Sequence, residues 1–135
     1  MIKYENNLEE YLEIPYGGEL IMDLHGCNSA EFTRSHLDLY FTKLCELIHM
    51  EKCEVHFWDD VSVPVEERQT DPRTKGTSAV CFILTSTIVI HTLNLLKTVC
   101  VNIFSCKTYD ADMAADFTKA WFRGEIQNST FIERQ

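Results

Sequence analysis

The sequence predicts an α+β fold, a two-layer α/β sandwich in which an antiparallel sheet carries two helices on one face. Two stretches have the apolar spacing of amphipathic helices, and the other apolar stretches alternate with polar residues or are rich in β-branched residues. Their order along the chain, β-α-β-β-β-α, favours an antiparallel sheet covered on one side by both helices. The length of 135 residues fits one domain, and a chain this short gains stability by pairing with a second copy.

The first strand is predicted directly after the pair Gly17-Gly18. Residues 1–16 are acidic and mixed in character and are predicted to form an N-terminal lead-in. Residues 17–135 are then a single domain. The alternation that indicates the first strand places three apolar residues on one face: Leu20, Met22 and Leu24.

Both helices are predicted from apolar stripes at helical spacing. Asn28 or Ser29 is the expected N-cap of the first helix, because either side chain can accept a hydrogen bond from a free backbone N–H. The stripe of this helix consists of Leu37, Phe41, Leu44 and Ile48. A second helix is expected over Asp110–Phe122, with a buried side formed by Met113, Phe117, Ala120 and Trp121.

The middle of the chain is rich in strand-forming residues. Cys53–Trp58 is a second predicted strand, and the polar residues 59–77 are expected to form a long surface loop. Ser78–His91 is long enough for two strands or one bent strand. Val99–Ser105 is a further strand, and the tail after Gly124 is expected to add a short edge strand.

Composition excludes several classes of function. The net charge of −9 and the absence of a basic stripe disfavour nucleic-acid binding, which depends on neutralising phosphates. No apolar run approaches the ~20 residues of a membrane span, and the N-terminus lacks a signal-peptide pattern. A cytoplasmic protein acting on a small molecule is therefore expected. The six cysteines form no C-x-x-C pair, so no metal site is predicted and most are expected to be reduced core residues.

Three segments in the second half of the chain carry a family resemblance. They are Gly76–Val80, Leu84–Thr92 and Val101–Cys106, and Asp23–Cys27 adds a matching first strand and turn. The pattern resembles the bacterial-type S-adenosylmethionine decarboxylase proenzymes, which have Gly-x-Ser, Glu-Ser-His-x-x-x-His-Thr and Asp-x-Phe-x-Cys segments at the same spacing. The resemblance implies the fold predicted above and a pyruvoyl-dependent carboxy-lyase.

The resemblance also implies the chemistry. The Ser86 hydroxyl would attack the carbonyl of Thr85, cut the chain between the two residues and become the pyruvoyl cofactor, which binds substrate as a Schiff base. Ser78 would stabilise the oxyanion of processing, and His91 would remove a proton during the elimination. Cys106 would be the proton donor in decarboxylation.

Strand geometry predicts how these residues are assembled. Ser86 and His91 are five residues apart, so they point to opposite faces of one strand. Ser78 and Ser86 would lie roughly 26 Å apart on a straight strand at about 3.3 Å per residue. The chain must therefore bend, or two protomers must share a site. The family has sites at a homodimer interface, so we expect Ser86 and Cys106 of one subunit to meet Ser78 and His91 of the other.

The sequence departs from the family pattern at several positions. Thr85 replaces the Glu before the cleaved residue and Thr87 replaces the His after it. Because Thr85 is β-branched and uncharged, slower cleavage is expected. Leu95 replaces the acid that would bind the ribose hydroxyls, and Leu cannot accept those hydrogen bonds. Asn102 replaces an Asp, and residues 71–75 lack the aromatic side chain that often stacks on adenine.

These departures leave three hypotheses about function. The first is a decarboxylase of S-adenosylmethionine that supplies aminopropyl groups for polyamine (spermidine) biosynthesis. The second keeps the pyruvoyl chemistry but takes another amino acid, arginine or ornithine. The third is an unprocessed, inactive homologue that acts as a binding or regulatory partner.

Overall fold

The computed structural model describes residues 8–135, which form a six-stranded antiparallel sheet with helices on one face. The part of the predicted lead-in before residue 8 lies outside the described residues. The elements are, in chain order, α1 (Glu9–Leu12), β1 (Gly18–His25), α2 (Arg34–Leu47), β2 (Lys52–Trp58), β3 (Gly76–Ile83), β4 (Ser86–Leu93), β5 (Thr98–Ser105), α3 (Ala111–Phe122) and β6 (Glu125–Glu133). Short 3₁₀ turns lie at Ser29–Phe32 and Val65–Glu67.

The strand order in the sheet is β2-β3-β4-β5-β1-β6. Strands β3, β4 and β5 follow one another as hairpins, whereas β1 is inserted between β5 and β6. The segment 78–91 is thus part of two strands joined by a turn, one of the two predicted forms. Strand β6 pairs with β1 along its length and has nine residues, which is longer than the short edge strand expected from the tail.

Helices α2 and α3 cover one face of the sheet, which we call the core face. Alternate residues of β1 are buried there, as predicted from Leu20, Met22 and Leu24. Between the helices, the Tyr40 ring stacks on Phe117 with centroids 5.9 Å apart, and its hydroxyl lies 2.8 Å from the Thr118 hydroxyl. On the opposite face, which we call the open face, the side chains of β3, β4 and β5 are half-buried or exposed.

Two local predictions about the helices were wrong. Asn28 caps the first 3₁₀ turn, and α2 is capped by Thr33, whose side chain accepts from the His36 N–H. In α3 the fully buried residues are small ones and Phe122. Of the predicted buried side, Phe117 and Trp121 are partly buried against the core, whereas Met113 is 44% exposed and Ala120 is exposed. The small side chains let α3 lie close to its neighbours, so the stripe is rotated relative to the one that the large residues suggest. The stripe predicted for α2 is confirmed, since all four residues are buried.

Fewer of the cysteines are buried than expected, three of the six. Cys27, Cys45 and Cys81 are buried, whereas Cys53 is exposed and Cys100 and Cys106 are half-buried. No helix in the described part of the chain is both long and apolar enough to cross a membrane.

Candidate active site

The turn between β3 and β4 holds the predicted cleavage site. Ile83 pairs with Ser86, so Leu84 and Thr85 alone form a two-residue turn. Thr85 has a φ of 66°, whereas Leu84 stays at negative φ. A β-branched residue at positive φ is a genuine outlier, because its side chain crowds the backbone there. The turn therefore carries local strain at the residue before Ser86.

Ser86 begins β4 with its side chain on the core face and is 8% exposed. Its hydroxyl donates to the Ser105 hydroxyl at 3.0 Å, and Ser105 Oγ in turn accepts from the Lys107 N–H at 2.9 Å. Ser105 thus fixes the direction of the Ser86 O–H bond. This role of Ser105 does not follow from the sequence, because a serine near the end of a strand carries no distinguishing pattern.

Cys106 reaches the same turn from the end of β5. Its Sγ lies 3.1 Å from Thr85 Oγ1, which itself donates to the Leu84 carbonyl at 2.6 Å. Because the only proton of the Thr85 hydroxyl is used there, the Cys106 thiol is the donor to Thr85. On the other side, the backbone of Gly17 packs against Cys106 so closely that a Cβ at Gly17 would overlap its Cα. Thr85, Ser86 and Cys106 are therefore held together in one subunit.

Ser78 and His91 form a second group on the open face. They are direct cross-strand partners on β3 and β4, and Ser78 Oγ lies 2.8 Å from His91 Nδ1. The hairpin creates this contact between residues that are far apart along the chain. It does not bring either residue to Ser86, which lies five residues from His91 along β4, roughly 16 Å at about 3.3 Å per residue. The prediction that Ser86 and His91 occupy opposite faces is confirmed.

A row of polar and aromatic side chains crosses the open face through this second group. Consecutive cross-strand pairings place six residues in it, which we call the open-face row: Trp58, Ser78, His91, Cys100, Asp23 and Asn128.

Both ends of the open-face row carry features that the sequence alone does not predict. Trp58, beside Ser78, is 84% exposed. On the far side of His91, burial and then the neighbouring Asp23 carboxylate raise the pKa of the Cys100 thiol to about 11. Asn128 Nδ2 donates to Asp23 Oδ2 at 3.1 Å. These residues come from four strands, so only the register of the whole sheet brings them together.

A hollow of about 380 Å³ lies beside Ser86. This is within the usual size range of small-molecule sites. The described residues that line it carry no charge, and three of them are aromatic: Tyr16, Phe82 and Phe104. Tyr16 belongs to the predicted lead-in, and its ring packs edge-on against Phe104 with centroids 6.2 Å apart. Within residues 8–135, no cluster of three or more His, Cys, Asp and Glu side chains is arranged to hold a metal ion.

A comparison with known protein families assigns the chain to one of them. The sequence model of the S-adenosylmethionine decarboxylase family matches residues 18–135. The chain belongs to the S-adenosylmethionine decarboxylase family. The predicted family and the enzyme class, a decarboxylase of S-adenosylmethionine, are thereby confirmed.

A solved structure supports the fold of this family member. The chain is similar to the adenosylmethionine decarboxylase from Aquifex aeolicus VF5, with a TM-score of 0.66 and 18% sequence identity over 87% of this chain and 88% of that chain. At this identity the likeness concerns the fold, and it confirms the α+β sandwich. No curated protein matches the sequence.

Proposed function

We propose that this family member is a pyruvoyl-dependent decarboxylase of S-adenosylmethionine that makes its own cofactor by cleavage between Thr85 and Ser86. The observation that carries the proposal is the turn itself, where Thr85 is strained, its hydroxyl contacts the Cys106 thiol, and the adjacent Ser86 hydroxyl is hydrogen-bonded to Ser105. Supply of aminopropyl groups for spermidine synthesis in the cytoplasm is the pathway placement that we propose with it.

The chain's own groups fit the formation of a pyruvoyl group at residue 86. Ser86 Oγ bonds to the Thr85 carbonyl carbon, the C–N bond breaks, and the Ser86 nitrogen gains the hydroxyl proton. Loss of the Cα proton of residue 86 then breaks its Cβ–Oγ bond, and Thr85 leaves as a carboxylate. Water finally replaces the nitrogen, which leaves as ammonia. Ser105 Oγ accepts a hydrogen bond from the Ser86 hydroxyl at 3.0 Å and would hold this hydroxyl during the first step.

Proton transfer in the later steps needs His91, which lies on the other face of the sheet. We therefore propose a homodimer in which the open-face Ser78–His91 pair of one subunit serves Ser86 and Cys106 of its partner. Ser78 donates to the oxyanion of the first step, and His91 takes the Cα proton. Cys106 returns a proton to the decarboxylated carbon of the substrate.

The pyruvoyl group supplies the electron sink for loss of CO₂. The uncharged aromatic hollow beside Ser86 and the exposed Trp58 beside Ser78 give a nucleoside two apolar surfaces to pack against. Neither surface replaces the hydrogen bonds that an acid at position 95 would make to a ribose. The two apolar surfaces support S-adenosylmethionine as substrate, whereas the missing acid predicts weaker binding of its ribose.

Intact-mass measurement of the purified protein tests the proposal. Processing predicts fragments 1–85 and 86–135, the second blocked to Edman degradation, and Ser86→Ala is expected to give full-length chain only. Release of labelled CO₂ from S-adenosylmethionine, compared with arginine and ornithine, then identifies the substrate. Full-length chain after long incubation of the unaltered protein would instead favour the inactive homologue.

A further inference from the structure

We propose that strain in the left-handed backbone at Thr85 accelerates the self-cleavage. The strain compensates for the Glu side chain that the family has at this position and this chain lacks. The inference rests on the proposed self-processing. It reverses the expectation from sequence that a threonine before Ser86 makes cleavage slower.

The strain follows from the residue type and the turn. Two-residue hairpin turns with positive φ normally place Gly, Asn or Asp at that position, because these residues tolerate the left-handed region. Thr85 adopts a φ of 66° although its Cβ carries two heavy substituents. Residues in such regions persist only when their surroundings hold them there.

The surroundings of Thr85 hold it on three sides. The Ile83–Ser86 pairing fixes the two ends of the turn. The Ser86 hydroxyl is anchored on Ser105, and the Thr85 hydroxyl is tied to the Leu84 carbonyl and to Cys106. While the peptide bond between residues 85 and 86 is intact, the turn therefore has no route to a relaxed backbone.

The constraint on the turn is removed at the conversion of the amide to the ester, which is the unfavourable step. The attack of Ser86 Oγ exchanges a C–N bond for a C–O bond, and an amide is ordinarily the more stable of the two. Strain in the intact turn raises the free energy of the starting amide, and it is released as Thr85 moves away from β4. The shift to the ester is thus less unfavourable than it would be from an unstrained turn.

Four variants separate strain from the hydroxyl. Thr85→Gly and Thr85→Asn relieve the strain, whereas Thr85→Val keeps a β-branched residue at the same φ and removes only the hydroxyl. Lys97→Gly is the matched control, since Lys97 also has positive φ (47°) but lies in the β4–β5 turn. The rate of appearance of fragment 86–135 is followed by mass spectrometry. In parallel, each change is combined with Ser86→Ala, and the midpoint of thermal unfolding of the uncut chain is measured.

We expect Thr85→Gly to process about fivefold more slowly, the factor that corresponds to about 1 kcal/mol of strain, the lower end of its usual range. Thr85→Asn is expected to lie between it and the unaltered protein, and Thr85→Val to lose less rate than either. In the uncut background Thr85→Gly should unfold at a higher temperature. Lys97→Gly should leave processing unchanged.

Three results would overturn the inference. One is a Thr85→Gly protein that cleaves as fast as the unaltered chain, and another is an uncut Thr85→Gly chain with no gain in thermal stability. The third is a Thr85→Val protein slower than Thr85→Gly, which would assign the effect to the hydroxyl. If the unaltered chain itself never cleaves, the proposed function fails first, and the inference fails with it.

Discussion

The two ends of the β3–β4 hairpin carry different parts of the chemistry. At the turn end, Ser86 is buried on the core face, and its hydroxyl is held by hydrogen bonds that run through Ser105 to the Lys107 N–H. At the other end, the Ser78–His91 pair lies on the open face between an exposed tryptophan and a half-buried thiol. One end thus makes its contacts within the subunit, whereas the other presents its groups outward. This division between the two ends is the arrangement that the proposed homodimer uses, in which the turn end of one subunit is completed by the open-face row of its partner.

The largest expected effect is the recovery of decarboxylation activity when two inactive variants, one for each end of the hairpin, are mixed. Ser86→Ala removes the turn end and His91→Ala removes the row end. When the two proteins are refolded together, activity is expected to return to about a quarter of the wild-type value, because random pairing makes about half the dimers mixed and each mixed dimer holds one complete site. Decarboxylation is measured before and after mixing. Two variants that stay inactive together, while dimers form, would contradict the shared site.

Substituting the thiols separates the two ends further. Cys106→Ala is expected to lower turnover by about 10²-fold, the usual scale for loss of a general acid, while fragments 1–85 and 86–135 still form. Cys100→Ala, in the open-face row, is expected to lower turnover far less, and Cys53→Ala is the exposed control. Turnover is measured as CO₂ release per processed chain. Equal losses for Cys106→Ala and Cys100→Ala would remove the distinction between the ends.

The smallest expected effect concerns how the row end is anchored. Asp59 directly follows Trp58, and the Arg34 guanidinium of α2, which binds it through two nitrogens at 2.7 and 2.8 Å, holds the pKa of its carboxyl below the usual range. A lowered pKa in the folded state stabilises the protein above about pH 4, the ordinary value for Asp, and the contribution disappears as the pH falls through the lowered value.

Asp59→Asn is therefore expected to unfold a few degrees lower than the unaltered protein at neutral pH. The difference should close in acid, because both side chains are then neutral. Thermal unfolding at a series of pH values checks this, with the exposed Asp116→Asn as control. A gap that stays constant with pH would show that the ion pair is not its cause.

The sequence predicted what depends on local periodicity and on matched spacing. The α+β class, the buried face of β1 and the opposite orientations of Ser86 and His91 follow from a period of two along a strand. The sequence allowed either two strands or one bent strand over Ser78–His91, because neither Leu84 nor Thr85 belongs to the types that favour a two-residue turn. The same absence is what makes the observed turn strained.

Other features depend on register across the whole sheet. Trp58, Cys100 and Asp23 lie beside the Ser78–His91 pair only because five strands align in one register. No local pattern in the sequence contains that information. The orientation of α3 also depends on tertiary packing and not on a local pattern. Its small residues pack inward in close contact, while the larger Met113 stays exposed.

The strand order has a consequence for the protein after cleavage between residues 85 and 86. Strands β1, β2 and β3 would then belong to one polypeptide, and β4, β5 and β6 to the other. In the described sheet, the neighbouring pairs β3–β4, β5–β1 and β1–β6 each join the two polypeptides. Strand β1 is enclosed by strands of the other polypeptide on both edges. The mature protein would therefore be an interleaved two-chain assembly, which separates only when the sheet itself unfolds.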